Sequence, residues 1–218
     1  MARVFVITGP SGVGKGTLIR GLMERLPELR LSVSATTRRP RPGEREGVDY
    51  YFLTGEEFDQ HVRDGDFVEH AQYAGRRYGT LHSELAGETS GPDRPGAAAQ
   101  GPVVLEIEVQ GARRVREAVP DAVQVFIAPP SLEVLRARLT ARGTDDPQEV
   151  ERRQLVAGEE LAAQPEFGHV VINDRLDEAL DELTAIVARE LGTGKAAAAG
   201  PASEATTLKG NRGKAEQP

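Results

Sequence analysis

The chain has 218 residues, 39% of them hydrophobic, and a formal net charge of −7. That is enough for one α/β domain with a well-buried core, and the acidic balance argues against a general nucleic-acid binder, whose footprint would be basic. The absence of cysteine excludes a disulfide framework or a thiolate site. No signal-peptide pattern precedes the first apolar run, and no such run approaches bilayer thickness. The expectation is a soluble cytoplasmic protein with no membrane or nucleic-acid partner.

In chain order, Val4 to Thr8 is β-branched and apolar and predicts a strand. Leu18, Ile19, Leu22, Met23 and Leu26 then recur at helical spacing. Between them lies Gly9-Pro10-Ser11-Gly12-Val13-Gly14-Lys15-Gly16-Thr17. Strand, glycine turn and helix in this order form the context of a phosphate-binding loop. Glycines let backbone N–H groups point inward, the helix N-terminus adds its positive end, and Lys15 adds an ammonium for the β and γ phosphates of a nucleotide. The pattern G-x-x-x-x-G-K is met at Gly9, Gly14 and Lys15, with one departure: Gly16 stands where Ser or Thr is usual, and Thr17 comes one place later. A divalent cation there is expected to be held mostly through water and the nucleotide.

Leu31 to Ala35 alternates like a short strand and runs into Arg38, Arg39, Arg41 and Arg45, displayed on a loop stiffened by Pro40 and Pro42. Strands are expected over Asp49 to Leu53 and Phe67 to Ala74, with a short helix over Gly55 to Arg63. Gly87 to Gly101 has no hydrophobic period and reads as an exposed insertion. Pro102 to Val109 predicts a core strand with Glu106 and Glu108 on one face. Helix over Ala112 to Ala118, strand over Ala122 to Ile127 and helix over Leu132 to Ala141 come next, the last with Ser131 as N-cap. A second arginine group, Arg136, Arg138, Arg142, Arg152 and Arg153, spans a charged stretch. Its helix over Gln148 to Ala163 reads as having Glu149, Glu151, Glu159 and Glu160 on its surface. A strand over His169 to Ile172 and a helix over Leu176 to Leu191 complete a pattern that predicts a parallel sheet covered on both faces, and residues 192–218 read as a disordered tail. The four histidines have no metal-ligand spacing.

The segments GPSGVGKGT, SVSATTRRPRPGE, GVDYYF, FVEHAQYAGRRYGT, LEIEVQGA, FIAPPS, LRARLTARGTDD and VVIND stand in the order and approximate spacing of the guanylate kinase family, which the chain resembles from about Val4 to Leu191. The resemblance implies a three-layer α/β/α P-loop kinase: residues 1–191 as one domain with a parallel core sheet, a small mixed GMP-binding lobe over about 34–83, the insertion over about 84–101 and a mobile lid over about 138–158. It implies transfer of the γ-phosphoryl group of ATP to GMP, with Mg²⁺ and the two nucleotides as the small-molecule partners.

Carried over residue by residue, the resemblance implies that Arg38, Arg41, Tyr50 and Tyr78 hold the GMP phosphate, while Ser34, Glu69, Thr80 and Glu108 read guanine. Glu106 joins this set and, with Thr17, is a candidate to meet Mg²⁺ through water. A carboxylate at Glu69 makes chemical sense, because guanine offers adjacent N1–H and N2–H donors that adenine lacks. On the donor side the implied residues are the loop from Gly9 to Thr17, with Asn173 near the ATP base. Lys15, Arg38, Arg138, Arg142 and Arg153 are the implied catalytic cations. Two rival readings stand beside this one: a binding module on the same fold that grips a phosphorylated peptide, and a P-loop kinase for another acceptor. The intact Lys15 with its glycines argues against the first, and Glu69, Ser34 and Thr80 against the second.

Overall fold

In the first strand, β1 (Val4–Thr8), Phe5 and Ile7 join one buried cluster while Val4 and Val6 join another. That alternation fixes β1 as a strand covered on both faces. The computed structural model describes residues 2–73, 75–87, 101–141 and 156–192. After β1 come α1 (Lys15–Arg25), β2 (Arg30–Leu31), β3 (Ala35–Thr36), β4 (Tyr51–Phe52), α2 (Gly55–Asp64), β5 (Phe67–Tyr73), β6 (Arg76–Leu81) and α3 (His82–Ala86). The order continues with β7 (Val103–Glu106), α4 (Val109–Ala118), β8 (Val123–Ala128) and α5 (Leu132–Ala141). A helical segment over 156–162, α6, leads to a single 3₁₀ turn at Gln164–Glu166, β9 (His169–Ile172) and α7 (Leu176–Leu191).

The core sheet has the order β2-β7-β1-β8-β9, every pairing parallel. Side chains of α1, α5 and α7, such as Leu18, Leu135 and Leu183, pack with Phe5 and Ile7 on one face. Val109, Ala112 and Val115 of α4, with Phe167, cover Val4, Val6 and Phe126 on the other. Burying each such large apolar side chain contributes roughly 1.5–3 kcal/mol, and β1 is buried throughout and paired on both sides, with β7 and β8. The expected three layers with a parallel sheet are present, and the glycine loop at the C-terminal end of β1 is held on a rigid base.

The second sheet is mixed, with order β4-β3-β6-β5. Its β5–β6 hairpin turns at Gly75, whose φ of 73° a residue with a Cβ rarely adopts. A capping box at Thr54 and Glu57 starts α2, and Arg77 braces that helix on the hairpin, donating to the Gly55 carbonyl, pairing with Asp59 and lying over the Phe58 ring.

The structure differs from the sequence expectation in four places, the first being that residues 84–86, expected at the start of the exposed insertion, belong to α3 with Glu84 fully buried. The stretch expected as one strand over Leu31 to Ala35 is divided between the sheets, because Arg30–Leu31 pairs with β7 whereas Ala35–Thr36 pairs with β4 and β6. The strand expected to reach Val109 ends at Glu106, and Glu108 is the N-cap position of α4, so Glu106 and Glu108 do not share a strand face. Glu160, expected on a solvated surface, is buried. The expected insertion lies mostly, and the lid and tail lie largely, outside the described residues.

Candidate active site

The loop between β1 and α1 takes its shape from three glycines with positive φ: Gly9 (139°), Gly12 (85°) and Gly14 (98°). At Gly9 the reason is also steric, since a Cβ there would stand 2.2 Å from the Ile127 carbonyl oxygen. At Gly14 an added Cβ would meet the Asn173 side-chain nitrogen at 2.6 Å. That amide is 6% exposed and donates to the Val13 carbonyl at 2.8 Å, while Arg138 donates to the Asn173 carbonyl at 3.0 Å. Asn173 and Arg138 thus brace the loop from behind. Lys15 folds back on its own loop, its Nζ donating to the Gly9 and Pro10 carbonyls at 2.6 and 3.3 Å. Gly16, in the first turn of α1, sits against Glu106: a Cβ there would make ordinary contact, 3.8 Å from both carboxylate oxygens.

This loop forms one end of a polar cleft of about 690 Å³. Ser11, Lys15, Gly16 and Thr17 line that end, and the second sheet supplies the opposite wall. There Arg38 makes a two-bond fork to Glu44, at 2.9 and 2.8 Å, and lies over the Tyr50 ring with its guanidinium carbon 5.1 Å from the centroid. The fork raises the Arg38 pKa and holds the Glu44 carboxyl below its ordinary range. Tyr50 meets Tyr78 edge-on at 6.2 Å, and burial pushes its phenol upward. Ser34 and Arg41 line the same wall.

The floor is acidic. Glu69 on β5 is 5% exposed and accepts the Thr80 hydroxyl at 2.8 Å, so the hairpin register that pairs these residues also orients the carboxylate. Loss of solvent, then the nearby Glu108 charge, pushes Glu69 up to about 7. Burial likewise raises the pKa of Glu108, whose Oε1 is buried and has no hydrogen-bond partner among the described residues. Glu106 is exposed at the mouth of β7. A cleft with cations at both ends and raised carboxyls between them suits a ligand that carries anions outside and hydrogen-bond donors within.

Of the residues expected at the site, Ser11, Gly12, Gly14, Lys15, Gly16, Thr17, Ser34, Arg38, Arg41, Tyr50, Glu69, Tyr78, Glu106 and Glu108 line the cleft. Gly9, Pro10 and Val13 form the underside of the loop, and Thr80 sits behind Glu69. Arg138 and Asn173 are placed behind the loop and do not line the cleft. Arg142 and Arg153 lie outside the described residues. Sequence reasoning missed five lining side chains: Arg20, Tyr73, Arg76, Ile107 and Glu160. Arg20 had a signal, since it stands on the helix after the glycine loop; Glu160 had none among so many charged neighbours.

Among known proteins, a family model described as guanylate kinase matches residues 1–190. The chain is 50% identical over 186 residues to the guanylate kinase of Synechococcus sp. (strain JA-3-3Ab), covering 85% of this chain and 82% of that one. Against the guanylate kinase of Streptomyces coelicolor the identity is 46% over 184 residues, covering 84% and 89%. Among solved structures, the guanylate kinase of Anaplasma phagocytophilum superposes with a TM-score of 0.67 at 31% identity, covering 87% of this chain and 86% of that one.

Proposed function

The chain belongs to the guanylate kinase family, and from that premise we propose that its cleft moves the γ-phosphoryl group of ATP to GMP, giving ADP and GDP, with the glycine loop as donor site and the second sheet as acceptor site. The observation that carries this reading is the pairing across one cleft of Lys15 on the loop with the Glu69–Thr80 pair and Arg38 on the facing wall.

On the donor side, Lys15 turns from the Gly9 and Pro10 carbonyls to the β and γ phosphates, a bond to a charged acceptor replacing bonds to neutral ones. Asn173 and Arg138 keep the loop in the shape that presents its N–H groups. On the acceptor side, Arg38, Arg41, Tyr50 and Tyr78 hold the GMP phosphate, and the planar fork that Arg38 offers Glu44 suits a phosphate equally well. Glu69 accepts guanine N1–H and N2–H, Thr80 fixes its orientation, and Ser34 and Glu108 complete the base site. A site built on such bonds rejects a base without those donors by on the order of 10⁴-fold, because its own buried groups would stay unpaired.

An oxygen of the GMP phosphate attacks the γ-phosphorus as the bond to the β,γ-bridging oxygen breaks. That oxygen is already anionic, so no general base is required. The work of the protein is alignment and neutralisation of charge. Arg142 and Arg153 are the further cations proposed for the migrating group, whereas Arg138, held on the Asn173 carbonyl behind the loop, acts through the loop's shape.

The oxygen donors facing the loop fit Mg²⁺, since Thr17 and Glu106 are hard ligands. When bound, Mg²⁺ supplies charge neutralisation on the β and γ phosphates. No helix among the described residues is long and apolar enough to cross a membrane.

The test is a coupled assay of ADP release with ATP and Mg²⁺, offering GMP, AMP, CMP and UMP separately. Turnover confined to GMP is expected; nucleotide binding without turnover on any acceptor would overturn the reading.

A further inference from the structure

Glu160 is not used by the reaction just described, yet it lines the cleft and is only 7% exposed. Among the described residues it is the one lining side chain contributed by the chain beyond Glu108. Its position is built. Ala157, one turn earlier on α6, is buried with Val13 of the loop and with Leu135 and Leu139 of α5, while Ala163 belongs to the opposite cluster with Val109 and Ala112. Leu161 packs against both clusters. The helix is therefore wedged between the two cores and has little freedom to let its carboxylate out to water.

The Ser11 backbone and the Lys15 ammonium favour the charged form of Glu160, and the carboxylates of Glu108 and Glu159 oppose it. Its Oε2 is buried with no hydrogen-bond partner among the described residues. A buried carboxylate left partly unsatisfied is costly, so a fold that retains one at the wall of a phosphate site is using it there. Burial is the largest influence on it and pushes it up to about 7, against the pull of Lys15.

We propose that Glu160 is a positioning residue for the donor nucleotide, fixing the Ser11 backbone so that the glycine loop keeps the shape that receives the triphosphate. It touches no reacting atom and acts through the loop. The inference rests on the donor-site assignment above. The essential property is an acceptor oxygen at this reach, not the charge, because a charge here repels the incoming phosphates.

The experiment compares Glu160→Gln, which keeps the oxygen and removes the charge, with Glu160→Asp, which keeps the charge and withdraws the oxygen by one methylene, and with Glu160→Ala. Thermal midpoints identify the variants that fold. The ATP KM is expected to rise about tenfold in Glu160→Ala and Glu160→Asp and to stay within about threefold of wild type in Glu160→Gln, while the GMP KM moves less than about twofold in all three. An unchanged ATP KM in Glu160→Asp, equal increases for both substrates, or no rescue by Gln would overturn the proposal. Calorimetric binding of ATP alone gives the same ranking without an acceptor. A wild type that binds ATP but transfers nothing to GMP would count against the reaction, and the ranking would still decide the role of Glu160.

Discussion

Gly111 of α4 lies so close to Glu69 that a Cβ built on it would stand 2.9 Å from Oε2, the carboxylate oxygen that Thr80 does not hold. The helix that packs on β1 thus also sets how far the Glu69 carboxylate reaches. Gly111→Ala is expected to turn Glu69 off its line, raising the GMP KM by about tenfold or more while the ATP KM stays within about twofold. Steady-state kinetics with each substrate varied checks it, and equal changes in both constants would argue against the orienting contact.

Glu69 also predicts a pH dependence. Its pKa in the folded protein, about 7, is raised above the ordinary 4.5. Its contribution to stability is therefore full below about 4.5 and is lost as pH rises through about 7. Guanine binding has the opposite sense, because only the ionised carboxylate accepts both N–H donors. The GMP KM should fall about tenfold between pH 6 and pH 8, and Glu69→Gln should flatten that slope. Glu160 titrates in the same range but on the donor side, so its effect belongs in the ATP KM.

Lys15→Ala should lower transfer by roughly 10³-fold or more, since the lost ammonium stabilises charge that develops on the phosphates. GMP binding, followed by calorimetry, should stay near wild type. Near-normal turnover would remove Lys15 from the mechanism.

At Gly16 a Cβ would make only ordinary contact with Glu106, 3.8 Å from both carboxylate oxygens, so the position admits a small side chain. Gly16→Ser should fold, gain up to about 0.5 kcal/mol from the helix preference of serine over glycine, and lower the Mg²⁺ concentration needed for half-maximal turnover by offering a hydroxyl there. Denaturant melts and a Mg²⁺ titration read the two effects separately.

Gly9 permits no such change. With φ at 139° and the Ile127 carbonyl 2.2 Å from any Cβ, Gly9→Ala should destabilise the protein by about 3 kcal/mol or more. A melting temperature unchanged within a few degrees would contradict that steric argument.

The glycine loop was legible in the sequence because its spacing, its flanking strand and its helix all depend on neighbouring residues. Glu108 was misplaced because alternation alone does not say where a strand stops: the pattern Leu105, Ile107, Val109 continues through the point where the chain turns into α4. Glu69 came from the family resemblance, and its physical meaning needs the register that sets it opposite Thr80. Glu84 and Arg30 show the harder case. Nothing in their neighbourhoods sets them apart, yet Glu84 is fully buried, accepting the Tyr51 hydroxyl and the Val33 N–H at 2.9 Å each. Their partners are distant in sequence, and long-range pairing of polar groups leaves no local periodicity to detect.

Arg30 has a wider consequence. From the edge strand of the core sheet its guanidinium donates to the carbonyls of Glu84 and Leu85 on one side and to that of Gly101 on the other. Both shores of the stretch 88–100 are thereby moored to the same residue. Whatever passes between them, its length need not be felt by Thr80 or by β7, because the mooring fixes the span.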